Sequence, residues 1–218
     1  MEFISQLKER LGEPLPGIEA QLKMTNTKIG VYKENKQKYL EASKAAKKAC
    51  VMILLFQKEG VWHTALMQRP ESPYPHSKQI SLPGGGLEEQ DDTLEAGALR
   101  ETEEEFGIPA QNIQTLGRLS ELYIPVSGYL VHPFVGYLKD APTYTPDPNE
   151  VDEIIEVKVE DLLNPALRKH KDITTSSGYH LKDVLYFDLN DKVVWGATAM
   201  MLSEFVTVLE SLDRHVLS

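Results

Sequence analysis

Three glutamates, Glu101, Glu104 and Glu105, crowd together in the stretch 84–108, which reads GGGLEEQDDTLEAGALRETEEEFGI. On a helix, Glu101 and Glu105 are four residues apart and share one face, with Glu104 beside them. Like charges at that spacing destabilise a bare helix by roughly 0.2–0.5 kcal/mol per pair. A hard divalent cation offsets the repulsion, because magnesium takes carboxylate oxygens and keeps water positions that a phosphate can occupy. The glycines let the backbone approach such an ion or phosphate closely, so the carbonyl of Gly85 or Gly86 is a candidate further ligand. A glutamate run taken alone is more often a solvated helix face. Here glycine, acid, Arg-Glu, Glu-Glu and a closing glycine stand at fixed offsets, and that combination points to chemistry.

Three elements must position these acids: a glycine turn at 84–86, a short acidic loop, and a helix over 93–106. The segment 86–108 resembles the 23-residue Nudix box, the signature of hydrolases that cleave nucleoside diphosphates linked to another group. Asp92 stands where the general box has glutamate, and Thr102 where an apolar residue is usual. The resemblance implies an α/β fold, a Nudix-type α/β/α sandwich with a mixed sheet. It also implies Mg2+ or Mn2+ as cofactor, with Glu101 and Glu105 as the main ligands and Glu104 as a third ligand or the general base. Arg100 is then expected to hold the loop together through a salt bridge to a nearby acid such as Asp92.

The segment before the box, 69–85, narrows the resemblance. Arg69, His76 seven residues later, Gln79 ten later and the lead-in Leu82-Pro83-Gly84-Gly85 resemble the Nudix subfamily that hydrolyses coenzyme A and its derivatives. Aspartate at the Asp92 position is usual in that subfamily, whereas Lys78 and Pro70 depart from its glycine and serine. The turn at 125–128 and the strand that follows, with Val131, Pro133, Phe134, Val135 and Gly136, are similar to the same group. This implies substrate contacts from Arg69, His76, Gln79 and Ser127. An arginine can grip phosphate bidentately, which lysine cannot, although a purely structural arginine reads equally well at position 69. Ser127 could donate to phosphate or simply close its turn. In Nudix enzymes an acid downstream of the box sometimes binds metal or serves as base; Glu153 is the first candidate and Glu150 the second.

Composition sets the outer limits. The chain has 218 residues, 41% hydrophobic and 26% charged, the profile of a globular protein large enough to bury a core without staples. Its net charge of −10 argues against nucleic acid as a partner, which needs a basic footprint. The partner expected is a small-molecule nucleoside diphosphate, and a homodimer is compatible with the sequence. One cysteine, Cys50, rules out a disulfide framework and reads as a buried structural thiol. No apolar run reaches membrane-spanning length and no secretory core opens the chain, so no membrane association and a cytoplasmic setting are expected.

Taken in order, residues 1–48 are expected to form an N-terminal helical extension and 49–218 the hydrolase domain. Phe3, Ile4, Leu7 and Leu11 share a helical face, and a second helical piece is expected over 18–24. The lysine-rich stretch 33–48 is either a solvated helix face or a phosphate-facing rim. Strands are expected at 49–56, 61–68, 79–82, 113–123, 129–138 and 154–159, a hairpin over 168–191, and an amphipathic helix over 195–212. The chemistry expected is hydrolysis of a pyrophosphate bond by a metal-held water, with Glu104 or Glu153 taking the proton.

Overall fold

The computed structural model describes residues 2–26, 29–71, 77–175 and 178–213, so His76 lies outside the described residues. The chain is built around one long strand, β1 (Lys47–Lys58). It runs parallel to β7 (Tyr129–Leu138) on one side. On its other side it pairs antiparallel with β4 (Gly84–Gly86) near its start and with β2 (Val61–Gln68) near its end. Further pairings add β3 (Ile80–Ser81) and β8 (Glu153–Lys158) to β2, and β5 (Ile113–Arg118) and β6 (Leu122–Ile124) to β7. The sheet is therefore mixed.

β1 is apolar throughout because both of its faces are covered. Successive side chains point to opposite sides. Ala49, Ile53 and Leu55 enter one core, while Cys50, Met52, Leu54 and Phe56 enter the other. The second core is covered by α4 (Leu94–Phe106), through Ala98 and Phe106. The first is covered by α1 (Glu2–Leu11) and α6 (Gly196–Glu210), with the short α2 (Ile18–Gln21) packed on α6. The result is the expected α/β/α sandwich.

The four apolar residues on one face of α1 are all buried, and the Phe3 ring packs 4.8 Å from that of Trp62 on β2. Each such side chain contributes about 1.5–3 kcal/mol when fully buried, so this helix is part of the core layer. The lysine-rich stretch forms α3 (Ile29–Lys44), whose described side chains are mostly exposed, before the chain enters β1 at Lys47.

Three expectations change in detail. The strand over 113–123 is two strands, because after Arg118 the chain turns so that Ser120 N donates to Glu204 on α6. The hairpin over 168–191 gains a third strand: β9 (Arg168–Thr174), β10 (His180–Leu189) and β11 (Lys192–Trp195) form a separate antiparallel sheet. The last helix begins at Gly196, with Trp195 extended as its N-cap. Among the described residues, no helix is long and apolar enough to cross a membrane.

Candidate active site

The glycine turn and α4 meet at the edge of β1. Thr93 caps α4, its Oγ1 accepting from Ala96 N at 3.0 Å, and Gly107 closes it in a left-handed conformation, φ 67°. Thr102, which takes an apolar position in the box, is fully buried and satisfies its hydroxyl by donating to Ala98 O at 2.7 Å. Capped and seated, α4 turns Glu101 and Glu105 towards the glycines and leaves Glu104 at the surface.

Glu105 is 1% exposed. Its Oε2 accepts from Gly84 N at 2.7 Å, and its Oε1 lies 3.5 Å from Arg69 Nη2, which also donates to Gly84 O at 3.3 Å. Burial is the main cause that pushes its carboxyl up to about 8; Arg69 and the Gly84 amide pull it down, and the fields of Glu101 and Glu150 push it further up. Glu101 is likewise raised above the usual carboxylate range, by burial first, with Arg100 opposing. A buried acid that lacks full neutralisation is the kind of group that gains from a dication.

Arg100 occupies the centre of the acidic cluster. Its Nε and Nη2 fork onto Asp91 at 3.0 Å each, its Nη1 reaches Glu101 at 3.0 Å and Glu104 at 2.7 Å, and Nη2 also donates to Gly86 O at 3.3 Å. The partner is Asp91, not the expected Asp92, because Asp91 turns inward to accept from Glu88 N and is held below the usual carboxylate range by Arg100, whereas Asp92 stays exposed. Two adjacent aspartates cannot be ranked by spacing alone. Gly97 clears the same spot, since a Cβ there would lie 2.7 Å from Cys50 Sγ and 3.0 Å from Asp91 Oδ2. Cys50 itself is fully buried and its thiol is pushed up to about 12 by burial, then by Glu101 and Asp91. It is inert packing.

As the side chains stand, no three of the described His, Cys, Asp and Glu residues converge on one ion position. Arg100 fills the cation's role between Glu101 and Glu104. The donor set nonetheless fits a hard dication, since all the side chains concerned end in oxygen and Glu101 and Glu105 face the same glycine turn. Gly85 is the cradle: a Cβ there would lie 2.5 Å from Glu101 Oε1. Gly86 O accepts from Arg100 and Gly85 O from the weaker Cys50 thiol at 3.9 Å, which makes Gly85 the better carbonyl candidate. Gly85→Ala is therefore expected to swing Glu101 aside and to cut turnover by at least about tenfold with little change in melting temperature. Kinetics beside a thermal melt would check this, and unchanged turnover would remove Gly85 from the site.

The remaining expected residues divide. Gln79 is joined to Arg69 through its carbonyl, which accepts from Arg69 N at 3.0 Å. Ser127 is exposed in the turn between β6 and β7, at the end of β1 where Lys47 pairs with Tyr129. Glu153 opens β8, paired in register with Gln68, and its carboxylate is bound to Lys192 at 2.5 Å. Glu150 is the downstream acid whose field reaches both Glu101 and Glu105.

The comparisons with known proteins agree with this arrangement. The family model described as NUDIX domain matches residues 46–176. A Nudix hydrolase NudL of Photorhabdus laumondii, described as uncharacterized, is 33% identical over 139 residues, 64% of this chain and 73% of that protein. Nudix hydrolase 22, chloroplastic, of Arabidopsis thaliana is 34% identical over 170 residues, 75% of this chain but only 55% of that protein. Among solved structures, a Nudix hydrolase from M. smegmatis, RenU, superposes with a TM-score of 0.54 at 17% identity, covering 77% of this chain and 88% of that one. A C. elegans Ap4A hydrolase in a binary complex gives 0.51 at 15% identity, over 76% of this chain and 99% of that one. At such identities the structures speak for the fold alone. Family model, relatives and box together establish that the chain belongs to the Nudix family of hydrolases, enzymes acting on phosphorus anhydrides.

Proposed function

We propose that the protein is a metal-dependent hydrolase that cleaves the pyrophosphate bond of coenzyme A or its derivatives. The products are 4′-phosphopantetheine, or its acylated form, and adenosine 3′,5′-bisphosphate. The observation that carries this reading is the contact of Arg69 with buried Glu105 and with Gly84 O. It joins the segment that resembles the coenzyme A group to the last turn of the acidic helix.

Glu101 and Glu105, with the Gly85 carbonyl, would hold Mg2+ or Mn2+, which when bound neutralises diphosphate oxygens and acidifies a water. Arg69 keeps part of its guanidinium in solvent, its side chain being 36% exposed, and offers that edge to a phosphate. Glu104 pairs with Arg100 on the exposed face of α4 and is the general base: it accepts the proton of the attacking water as the water's oxygen bonds to phosphorus and the P–O–P bridge breaks. Glu150 is the second acid in range. Gln79, Ser127 and His76 complete the substrate contacts.

A panel of coenzyme A, ADP-ribose and a dinucleoside polyphosphate, each with Mg2+ and scored by product identity, tests the reading. Coenzyme A is expected to give the highest kcat/KM and the two products named. Preference for ADP-ribose would replace the substrate while keeping the chemistry, and binding of coenzyme A without any product would turn the reading towards a nucleotide sensor.

A further inference from the structure

Gln68 is the residue before Arg69 and so turns to the opposite face of the sheet edge. On that face a cavity of about 450 Å3 opens between β2, β3 and the small sheet β9–β11. Its size falls within the usual range for small-molecule sites. Its walls include Gln68, Lys78, Gln79, Lys171, Lys192 and Trp195. We propose that this cavity seats the nucleotide half of the substrate, with the base against Trp195 and a second phosphate on the ribose read by Lys171 and Lys192.

Four observations support the assignment. Trp195 is half-buried and lines a cavity whose other walls are largely polar, which makes its indole face a platform for a base. Lys192 is fixed in place: its Nζ donates to Gln68 Oε1 at 2.9 Å and to Glu153, which leaves one ammonium proton for a ligand. Lys171 has its Nζ 5.8 Å from the centre of the Tyr186 ring and is poised as a second point charge. Three lysines and two aspartates line the cavity; Lys78 is paired with Glu71 and Lys192 with Glu153, which leaves Lys171 as the lysine whose ammonium sits against an aromatic face rather than a carboxylate.

The cavity and the carboxylates lie on the two sides of one short edge. Gln68 and Arg69 are consecutive, and the Gln79 carbonyl ties that edge to Arg69 N. The proposal places the diphosphate at Glu105 and its nucleoside around that edge, in the cavity. In this arrangement Glu153 is a positioning residue for Lys192, which accounts for an acid that the box does not use. The assignment deepens the coenzyme A reading and rests on it for the identity of the nucleotide, since coenzyme A carries a 3′-phosphate that ADP-ribose lacks.

The test has a binding arm and a turnover arm. Metal-free protein is titrated with adenosine 3′,5′-bisphosphate and with adenosine 5′-monophosphate while tryptophan fluorescence is followed. The only other tryptophan, Trp62, is 5% exposed and packed in the core, so quenching reports Trp195. The bisphosphate is expected to bind tighter, and Lys171→Gln and Lys192→Gln are each expected to shrink that preference about tenfold, the loss of one charge-assisted contact. In turnover, the same substitutions should lower the ratio of kcat/KM for coenzyme A over dephospho-coenzyme A by a similar factor. An absent quench, or a preference indifferent to both lysines, overturns the cavity even if coenzyme A is hydrolysed. Lysine-dependent binding of the bisphosphate without hydrolysis of coenzyme A upholds the cavity and overturns only the substrate reading.

Discussion

Glu105→Gln is expected to lower kcat/KM by on the order of 10³-fold in saturating Mg2+, equivalent to roughly 4 kcal/mol of lost transition-state stabilisation. The substitution keeps the shape of the side chain and an oxygen that can still accept from Gly84 N, so the turn between β3 and α4 is retained. What disappears is the negative charge that a dication and Arg69 both require. Because that carboxyl is 1% exposed, no water shell substitutes for it. Glu101→Gln should behave alike, and it leaves Arg100 with Asp91 and Glu104 to hold the loop. Steady-state kinetics and circular dichroism on the two variants decide the matter. Near wild-type magnesium-dependent turnover in either, with an unchanged spectrum, would mean that the helix acids do not form the site.

The second large effect is on stability and lies far from the box. Glu204 on α6 is completely buried, yet every bond it makes is to a segment distant in sequence: Gly17 N at 2.9 Å, Ser120 N at 3.3 Å and Gln21 Nε2 at 2.8 Å. One carboxylate thus fastens α2 and the turn between β5 and β6 onto the last helix. Glu204→Ala removes the acceptor of one buried and two part-buried donors, of which Gln21 Nε2 keeps its bond to Ser120 O, and at about 1–3 kcal/mol for each unsatisfied group the expected loss is about 3 kcal/mol. Glu204→Gln, which keeps one acceptor oxygen, should lose less than half of that. Urea titration measures both, as a drop in the midpoint at constant slope. A loss below about 1 kcal/mol for the alanine variant would show that water reaches the three donors and that the seam is not closed.

The site and the fold were legible to different extents. The strand at β1, its alternation between two cores, the capped helix α4 and the amphipathic α1 all follow from local patterning, and so they could be read from residue types and spacing. The box acids were legible for the same reason, since a helix brings residues four apart together without help from any other element. The partner of Arg100 was not: Asp91 and Asp92 are adjacent and differ only in which way the loop turns them, Asp91 inward to the guanidinium and Asp92 to solvent. The break between β5 and β6 was hidden as well, because its cause, Glu204, lies 84 residues from Ser120.

What the sequence by itself determined is the family box and the grouping of its acids: three glutamates near one helical turn behind a glycine run, in a chain patterned for a three-layer fold. What only the tertiary structure decided is the partnership of those groups. Arg100 pairs with Asp91, Arg69 reaches across to Glu105, and Glu153 pairs with Lys192. The physical reason is range. Helical and strand periodicity act over a few residues, whereas an ion pair or a buried hydrogen bond depends on which distant segments the packed core brings within about 3 Å of each other.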